Sequence, residues 1–134
     1  MNVLFVCNGN VARSQEAELF FNTLKQNDDS RATSGGINVK VGKPIDPLVV
    51  EAMNEISYDI SKAVRKFADE AMARDADLVV SFKPEDELPD FLRVHPNIRY
   101  WKVDDPQAQP IEFHREVRNE VKQKVTNLIK ELAL

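Results

Sequence analysis

Cysteine is all but missing from this chain. Cys7 stands alone, so no disulfide can form within the chain, and its cysteine usage gives no sign of an oxidising compartment. Histidine is equally scarce. His95 and His114 lie far apart, with no cysteine or carboxylate at ligand spacing, which argues against a catalytic metal. No apolar run is long enough to span a bilayer. Met1 leads straight into a short apolar segment, with no basic leader and no small-residue cleavage site, so a soluble cytoplasmic protein with no membrane partner is expected. There is no excess of positive charge: 18 basic against 22 acidic residues leave a net charge of -4, which disfavours nucleic acid as a partner. Repeats, low-complexity tracts and linkers are also lacking. What remains is 43% hydrophobic and 30% charged, an ordinary globular composition that predicts one domain over residues 1–134.

The apolar pattern alternates between two periods. Val3 to Val6 is a continuous apolar run ending in turn residues, as a buried parallel strand requires. Ala17, Phe20, Phe21 and Leu24 then recur at helical spacing. Ala32 to Ser34 reads as a weak strand closed by Gly35-Gly36, and a loop broken by Gly42, Pro44 and Pro47 follows. Leu48, Val49, Ala52, Met53 and Ile56 form a second helical stripe. A third helix is expected from Ser61, with Val64, Phe67, Ala68 and Ala71 inward. Leu78 to Val80 is another buried strand. Residues 84–91 are polar and irregular, with one short helical turn. Residues 98–103 read as the last strand, and a stripe from Phe113 to Leu132 as the last helix. Strands alternating with helices predict an α/β fold with a four-stranded parallel sheet and helices on both faces. In such folds chemistry collects beyond the carboxyl ends of the strands, where Cys7, Ser81 and Asp105 would all emerge.

The first of these strand ends carries the densest signal, FVCNGNVARS, from Phe5 to Ser14. A strand, a glycine-containing loop and a helix start together make an anion site, because loop amides and the helix dipole direct positive potential to one point. Gly9 and Asn10 are the residue types that most readily take the left-handed angles such a ring of amides requires. Arg13 adds a planar fork able to hold two oxygens of a tetrahedral oxyanion. A thiol in that field is expected to lose its proton easily, and Ser14 can give it a hydroxyl hydrogen bond. The candidate nucleophile is therefore Cys7. The candidate cradle is Asn8, Gly9, Asn10, Val11, Ala12, Arg13 and Ser14.

This loop, a cysteine, five residues, arginine and serine, resembles the phosphate-binding loop of the low-molecular-weight protein tyrosine phosphatase family, which includes thiol-dependent arsenate reductases. The resemblance extends over nearly the whole chain, through Ser34-Gly35-Gly36, VGKPIDP, DPLVVEAMNEISYDIS, Ala76 to Val80 and WKVDDP. It implies a cysteine-dependent phosphomonoesterase, in particular a protein tyrosine phosphatase, acting on a phosphorylated protein or a small phosphomonoester through a phosphocysteine intermediate. It also implies Asp105, directly before Pro106, as general acid, with Asp104 as the alternative.

The sequence departs from both branches of that family. An arsenate reductase with an internal relay needs further cysteines, but the stretch after Val80 reads Ser81-Phe82-Lys83-Pro84, and Ala12 takes the place of a second loop cysteine. Reduction of arsenate would then need an external thiol or a thioredoxin-like protein. Phosphotyrosine-selective members carry aromatic residues after Asp-Pro, where this chain has Gln107-Ala108-Gln109. Trp101 reads better as a strand anchor than as a substrate clamp. An oxyanion-binding module with little turnover stands as a third reading. No catalytic cofactor is expected. The resemblance to the reductase branch implies one structural ion, potassium, with Asn10, Glu18, Ser34 and Asp59 at the matching positions.

Overall fold

A computed structural model describes all residues, 1–134. Ten elements follow in order: β1 (Asn2–Cys7), α1 (Arg13–Leu24), β2 (Arg31–Gly36), α2 (Pro47–Asn54), α3 (Glu70–Asp75), β3 (Leu78–Ser81), a 3-10 turn (Glu85–Glu87), α4 (Asp90–Arg93), β4 (Ile98–Tyr100) and α5 (Ile111–Leu132). The four strands form one sheet in the order β2-β1-β3-β4, and every pairing is parallel. The expected α/β architecture is therefore present.

The pleat of β1 explains its unbroken apolar run. Val3, Phe5 and Cys7 face one core, with α1, α2 and α5. Leu4 and Val6 face the other, with Ala73 of α3 and Leu92 of α4. A strand buried on both sides has no polar face to alternate with. The chain leaves β1 for β2 on one side and reaches β3 on the other, so the strand order reverses at β1. That reversal opens a crevice beyond its carboxyl end. Cys7 pairs with Gly36 and Val6 with Ser81, which brings the ends of β1, β2 and β3 to one edge.

Two expected elements differ. No helix starts at Ser61: α3 begins at Glu70, capped by the Asp69 carboxylate, which accepts from the Met72 amide. Ser61 and Lys62 close a turn, and residues 63–69 follow without helix. Val64 bridges to Pro44 and Phe67 to Gly36, and these long-range backbone bonds outweigh a local helical spacing of apolar residues. β4 stops at Tyr100 rather than reaching Val103. Just beyond it, Trp101 still donates its amide to the Ser81 carbonyl of β3 at 2.8 Å and packs its ring 5.8 Å from Phe5 and 5.8 Å from Phe82, the anchor role expected of it. No helix is long and apolar enough to cross a membrane.

Candidate active site

The loop between β1 and α1 closes around the sulfur of Cys7. The Asn10 amide donates to Sγ at 3.2 Å, and the Ser14 hydroxyl lies 2.8 Å from it. Asn10 has φ +54°, the left-handed turn that folds the loop back. Its side chain makes the four hydrogen bonds a carboxamide offers. Nδ2 donates to Ser14 Oγ and Ser34 Oγ at 2.8 and 3.0 Å, and Oδ1 accepts from Gln15 Nε2 and the Lys66 amide at 2.7 and 2.8 Å. Since the Ser14 hydroxyl already accepts from Asn10, its own proton is available to the sulfur. Gly36 of β2 lies directly behind this turn. A Cβ there would stand 2.7 Å from the Asn8 carbonyl oxygen and 2.9 Å from the Asn10 nitrogen, so only glycine lets the loop lean on the sheet.

α1 begins at Arg13 without a side-chain cap: Ala12 precedes it and makes no capping bond. The amides of its first turn are thus not claimed by any cap and face the loop. The Arg13 side chain is almost wholly buried. It donates from Nη1 to the Val103 carbonyl at 2.9 Å, and its Cζ lies 5.9 Å from the centre of the Phe82 ring. Nη2 stands 3.5 Å from Asp105 Oδ2. The fold thus brings Cys7, Arg13 and Asp105 to one crevice. Asp105 Oδ1 accepts from the Gln107 amide at 3.0 Å, so the turn before Pro106 presents this carboxylate towards the arginine. Asp104 has no such contact with Arg13.

The crevice is a cavity of about 860 Å³. Cys7, Asn8, Gly9, Val11, Ala12 and Arg13 form its floor, and Asn38, Lys40, Asp46, Arg65, Asp105, Gln107 and His114 contribute polar groups to its walls. No phenylalanine, tyrosine or tryptophan lines it. Sequence reasoning missed Arg65 and His114 here. Arg65 arrives on the non-helical segment 63–69, held by Nε donating to the Pro44 carbonyl. His114 is 1% exposed and its ring nitrogens have no protein partner. Ser81, by contrast, is turned into its own loop, donating to the Lys83 carbonyl and accepting from the Lys83 amide. Lys83 Nζ in turn donates to Asn8 Oδ1 at 3.2 Å.

Behind the floor lies a second titratable group that the sequence did not flag. Glu16 is 1% exposed and neither of its oxygens has a hydrogen-bond partner. Burial pushes its carboxyl up to about 8, against the pull of the Arg118 and Arg13 guanidinium groups. At neutral pH it is held as the uncharged acid.

The positions implied for potassium do not share one cavity of free oxygens. Asn10 and Ser34 are bonded to each other. Glu18 Oε1 accepts from Lys66 Nζ at 2.7 Å, and Asp59 Oδ1 accepts from both the amide and the hydroxyl of Ser61. Asn10 Oδ1 already accepts from two N–H groups, and Glu18 is already paired with a cation. This set does not fit a potassium ion.

A sulfur that accepts from a loop amide, with an arginine and a carboxylate in the same crevice, sits at the switch point of the β2-β1-β3-β4 parallel sheet. The chain belongs to the low molecular weight phosphotyrosine protein phosphatase family, whose profile matches residues 2–134. Among similar proteins are an arsenate reductase 2 of Staphylococcus haemolyticus, 32% identical over 127 residues that cover 90% of this chain and 89% of that one, and a glutaredoxin arsenate reductase of Synechocystis, 33% identical over 132 residues and 98% of both. The solved low molecular weight protein tyrosine phosphatase of T. tengcongensis superposes with a TM-score of 0.86 at 28% identity, covering 98% of this chain and 99% of that one.

Proposed function

We infer that this protein is a cysteine-dependent phosphomonoester hydrolase of the protein tyrosine phosphatase type, working through a phosphocysteine intermediate. The observation that carries the reading is the geometry of one sulfur: it accepts from the Asn10 amide and faces the Ser14 hydroxyl, with Arg13 and Asp105 paired in the same crevice. In the first step Cys7 attacks phosphorus in line as the ester oxygen leaves. Loop amides and the Arg13 fork hold the equatorial oxygens, where negative charge builds. Asp105 donates a proton to the departing oxygen. It then takes a proton from the water that attacks the thiophosphate, and inorganic phosphate and free Cys7 result. With no aromatic side chain along the cavity, the walls suit a small or polar leaving group better than a stacked phenol ring. The substrates are phosphorylated proteins or small phosphomonoesters.

A second reading has its own support, since the relatives in Staphylococcus and Synechocystis are arsenate reductases. Arsenate reduction to arsenite takes two electrons, from two thiols that end as a disulfide. This chain supplies one thiol, so the other reducing sulfur would come from outside, from a small thiol or a thioredoxin-like protein.

The test is phosphate release from an aryl phosphate, run beside arsenate-dependent oxidation of glutathione or thioredoxin. The phosphatase reading expects turnover by the wild type that disappears in Cys7→Ser, with inorganic phosphate still bound. Thiol oxidation that outpaces phosphate release would move the assignment to the reductase. Tight phosphate binding with neither activity would leave an oxyanion-binding module.

A further inference from the structure

Lys40 and Arg65 line the same cavity as Cys7, and neither forms an ion pair. The other cation of that cavity, Arg13, stands 3.5 Å from Asp105. Backbone bonds hold both unpaired cations close to the cradle. The Ile37 and Asn38 amides donate to the Cys7 and Asn8 carbonyls at 3.2 and 2.9 Å, which fixes the start of the loop that carries Lys40. The Lys66 amide donates to Asn10 Oδ1 at 2.8 Å, one residue beyond Arg65. The two loops are also joined to each other: the Gly42 amide donates to the Arg65 carbonyl and the Arg65 amide to the Lys43 carbonyl, both at 2.9 Å. Arg65 Nε donates to the Pro44 carbonyl at 3.1 Å, which leaves both of its Nη groups without a protein acceptor. Asp46 lines the cavity too, but its Oδ1 accepts from the Leu48 amide at the start of α2, and it pairs with neither cation.

We propose that Lys40 and Arg65 form a second anion subsite in this cavity, so that the preferred substrate is doubly anionic: a phosphoryl group in the cradle, and a carboxylate or second phosphate on the group that carries it. The subsite rests on the phosphomonoesterase reading for what fills the cradle. Two unpaired cations on neighbouring loops repel each other, and an anion between them offsets that repulsion. The planar fork of Arg65, already fixed at Nε, matches two oxygens of a carboxylate or phosphate, while Lys40 adds a point charge on a flexible stem. The chain as a whole carries a net charge of -4, which opposes a doubly anionic ligand at long range, so local cations are what admit it. No aromatic ring lines the walls, so a charge rather than a stacked ring distinguishes the leaving group. An acidic segment beside a phosphorylated residue and a small ester with a second acid group both present this chemistry.

The test reads binding of phosphonates, which have no ester bond to break, so it does not depend on turnover. Phosphonoacetate and phosphonopropionate are each compared by calorimetry with the amide of the same length. At least one acid is expected to bind the wild type about tenfold more tightly than its amide, the scale of one hydrogen bond to a charged group, and added salt should shrink the ratio. Arg65→Gln and Lys40→Gln should each reduce the ratio, and the double variant should bring it to unity. Should Arg65→Gln not fold, Lys40→Gln reads the subsite alone, because Lys40 is exposed on its loop. The source is read from kcat/KM on phosphotyrosine peptides with glutamate or glutamine beside the phosphorylated residue. A preference for glutamate that the double variant loses assigns an acidic protein segment, and a preference confined to the phosphonates assigns a small ester. The proposal is overturned if acids and amides bind alike at both lengths, or if the preference persists in the double variant. A preference that stands while no phosphate ester is hydrolysed counts against the phosphatase assignment alone.

Discussion

The two loops that meet over the crevice are built on opposite plans. The one after β1 is pinned from every side: Asn10 makes four side-chain hydrogen bonds, Gly36 backs its turn at contact distance, and Lys83 and Lys66 hold its flanks. Its arginine is buried, with 8% of the side chain exposed. The loop carrying Asp105 meets that arginine through the Val103 carbonyl, at 2.9 Å, and through the Asp105 carboxylate only at 3.5 Å, and the Asp105 side chain is 46% exposed. Under the phosphatase reading, each plan suits its task. A cradle for a transition-state trianion gains from donors fixed before the reaction, because reorganisation then costs nothing at the barrier. A general acid has to follow a leaving group whose position changes between substrates, and a lightly held turn allows that.

Mutations can separate the two plans. Asp105→Asn is expected to lower kcat on an ester with a poor leaving group by about 10²–10⁴, while leaving phosphate affinity and melting temperature near wild type. A matching loss of phosphate binding would mean that Asp105 belongs to the cradle and that the contrast between the loops is false. Gly36→Ala should cost about 10² in kcat/KM, the scale for a displacement of roughly 1 Å at a positioned group. Here phosphate affinity and melting temperature should fall together, because the backbone of Asn8 and Asn10 must move. Asn10→Ala leaves the Ser14 and Ser34 hydroxyls and the Lys66 amide short of a partner, and should destabilise the fold by about 1–3 kcal/mol, measured by denaturant unfolding.

The smallest effect on chemistry is expected from Glu16→Gln, whose readout is stability against pH. The Glu16 carboxyl is raised in the fold, from 4.5 to about 8. Between those values the folded state holds a proton that the unfolded chain has lost. The contribution of Glu16 is therefore intact below its unfolded value and falls by up to ~1.4 kcal/mol per pH unit as pH rises towards 8. The amide variant should remove that slope, gaining more over wild type at pH 8 than at pH 5 in parallel denaturant titrations. Identical pH slopes in the two proteins would show that this carboxyl is not held protonated.

Much of this arrangement was legible in the order of residues. The apolar run Val3 to Val6, the Cys7 to Arg13 spacing and the α5 stripe each follow from short-range rules, because a buried strand, an anion loop and an amphipathic helix all announce themselves within a few residues. The segment 61–69 was not legible. Val64, Phe67 and Ala68 carry a helical spacing, yet bonds to Pro44 and Gly36, distant in sequence, set its course. Arg65 and Lys66 reach the site only by that path, so nothing local marked them. Glu16 and His114 were hidden for a related reason. In sequence a glutamate on a helix reads as a solvated charge, and only the packing of elements distant in sequence buries both groups.

The bare start of α1 has a thermodynamic consequence. Where other helices place a serine or an aspartate, this one has Ala12, which leaves the first-turn amides open to a tetrahedral anion. Under the phosphatase reading, released phosphate would act as an exchangeable cap, and each binding event would complete the secondary structure as well as fill a crevice. The concentration of free phosphate in its surroundings then sets how firmly the first turn is wound, and the protein should melt at a higher temperature the more of its own product it is given.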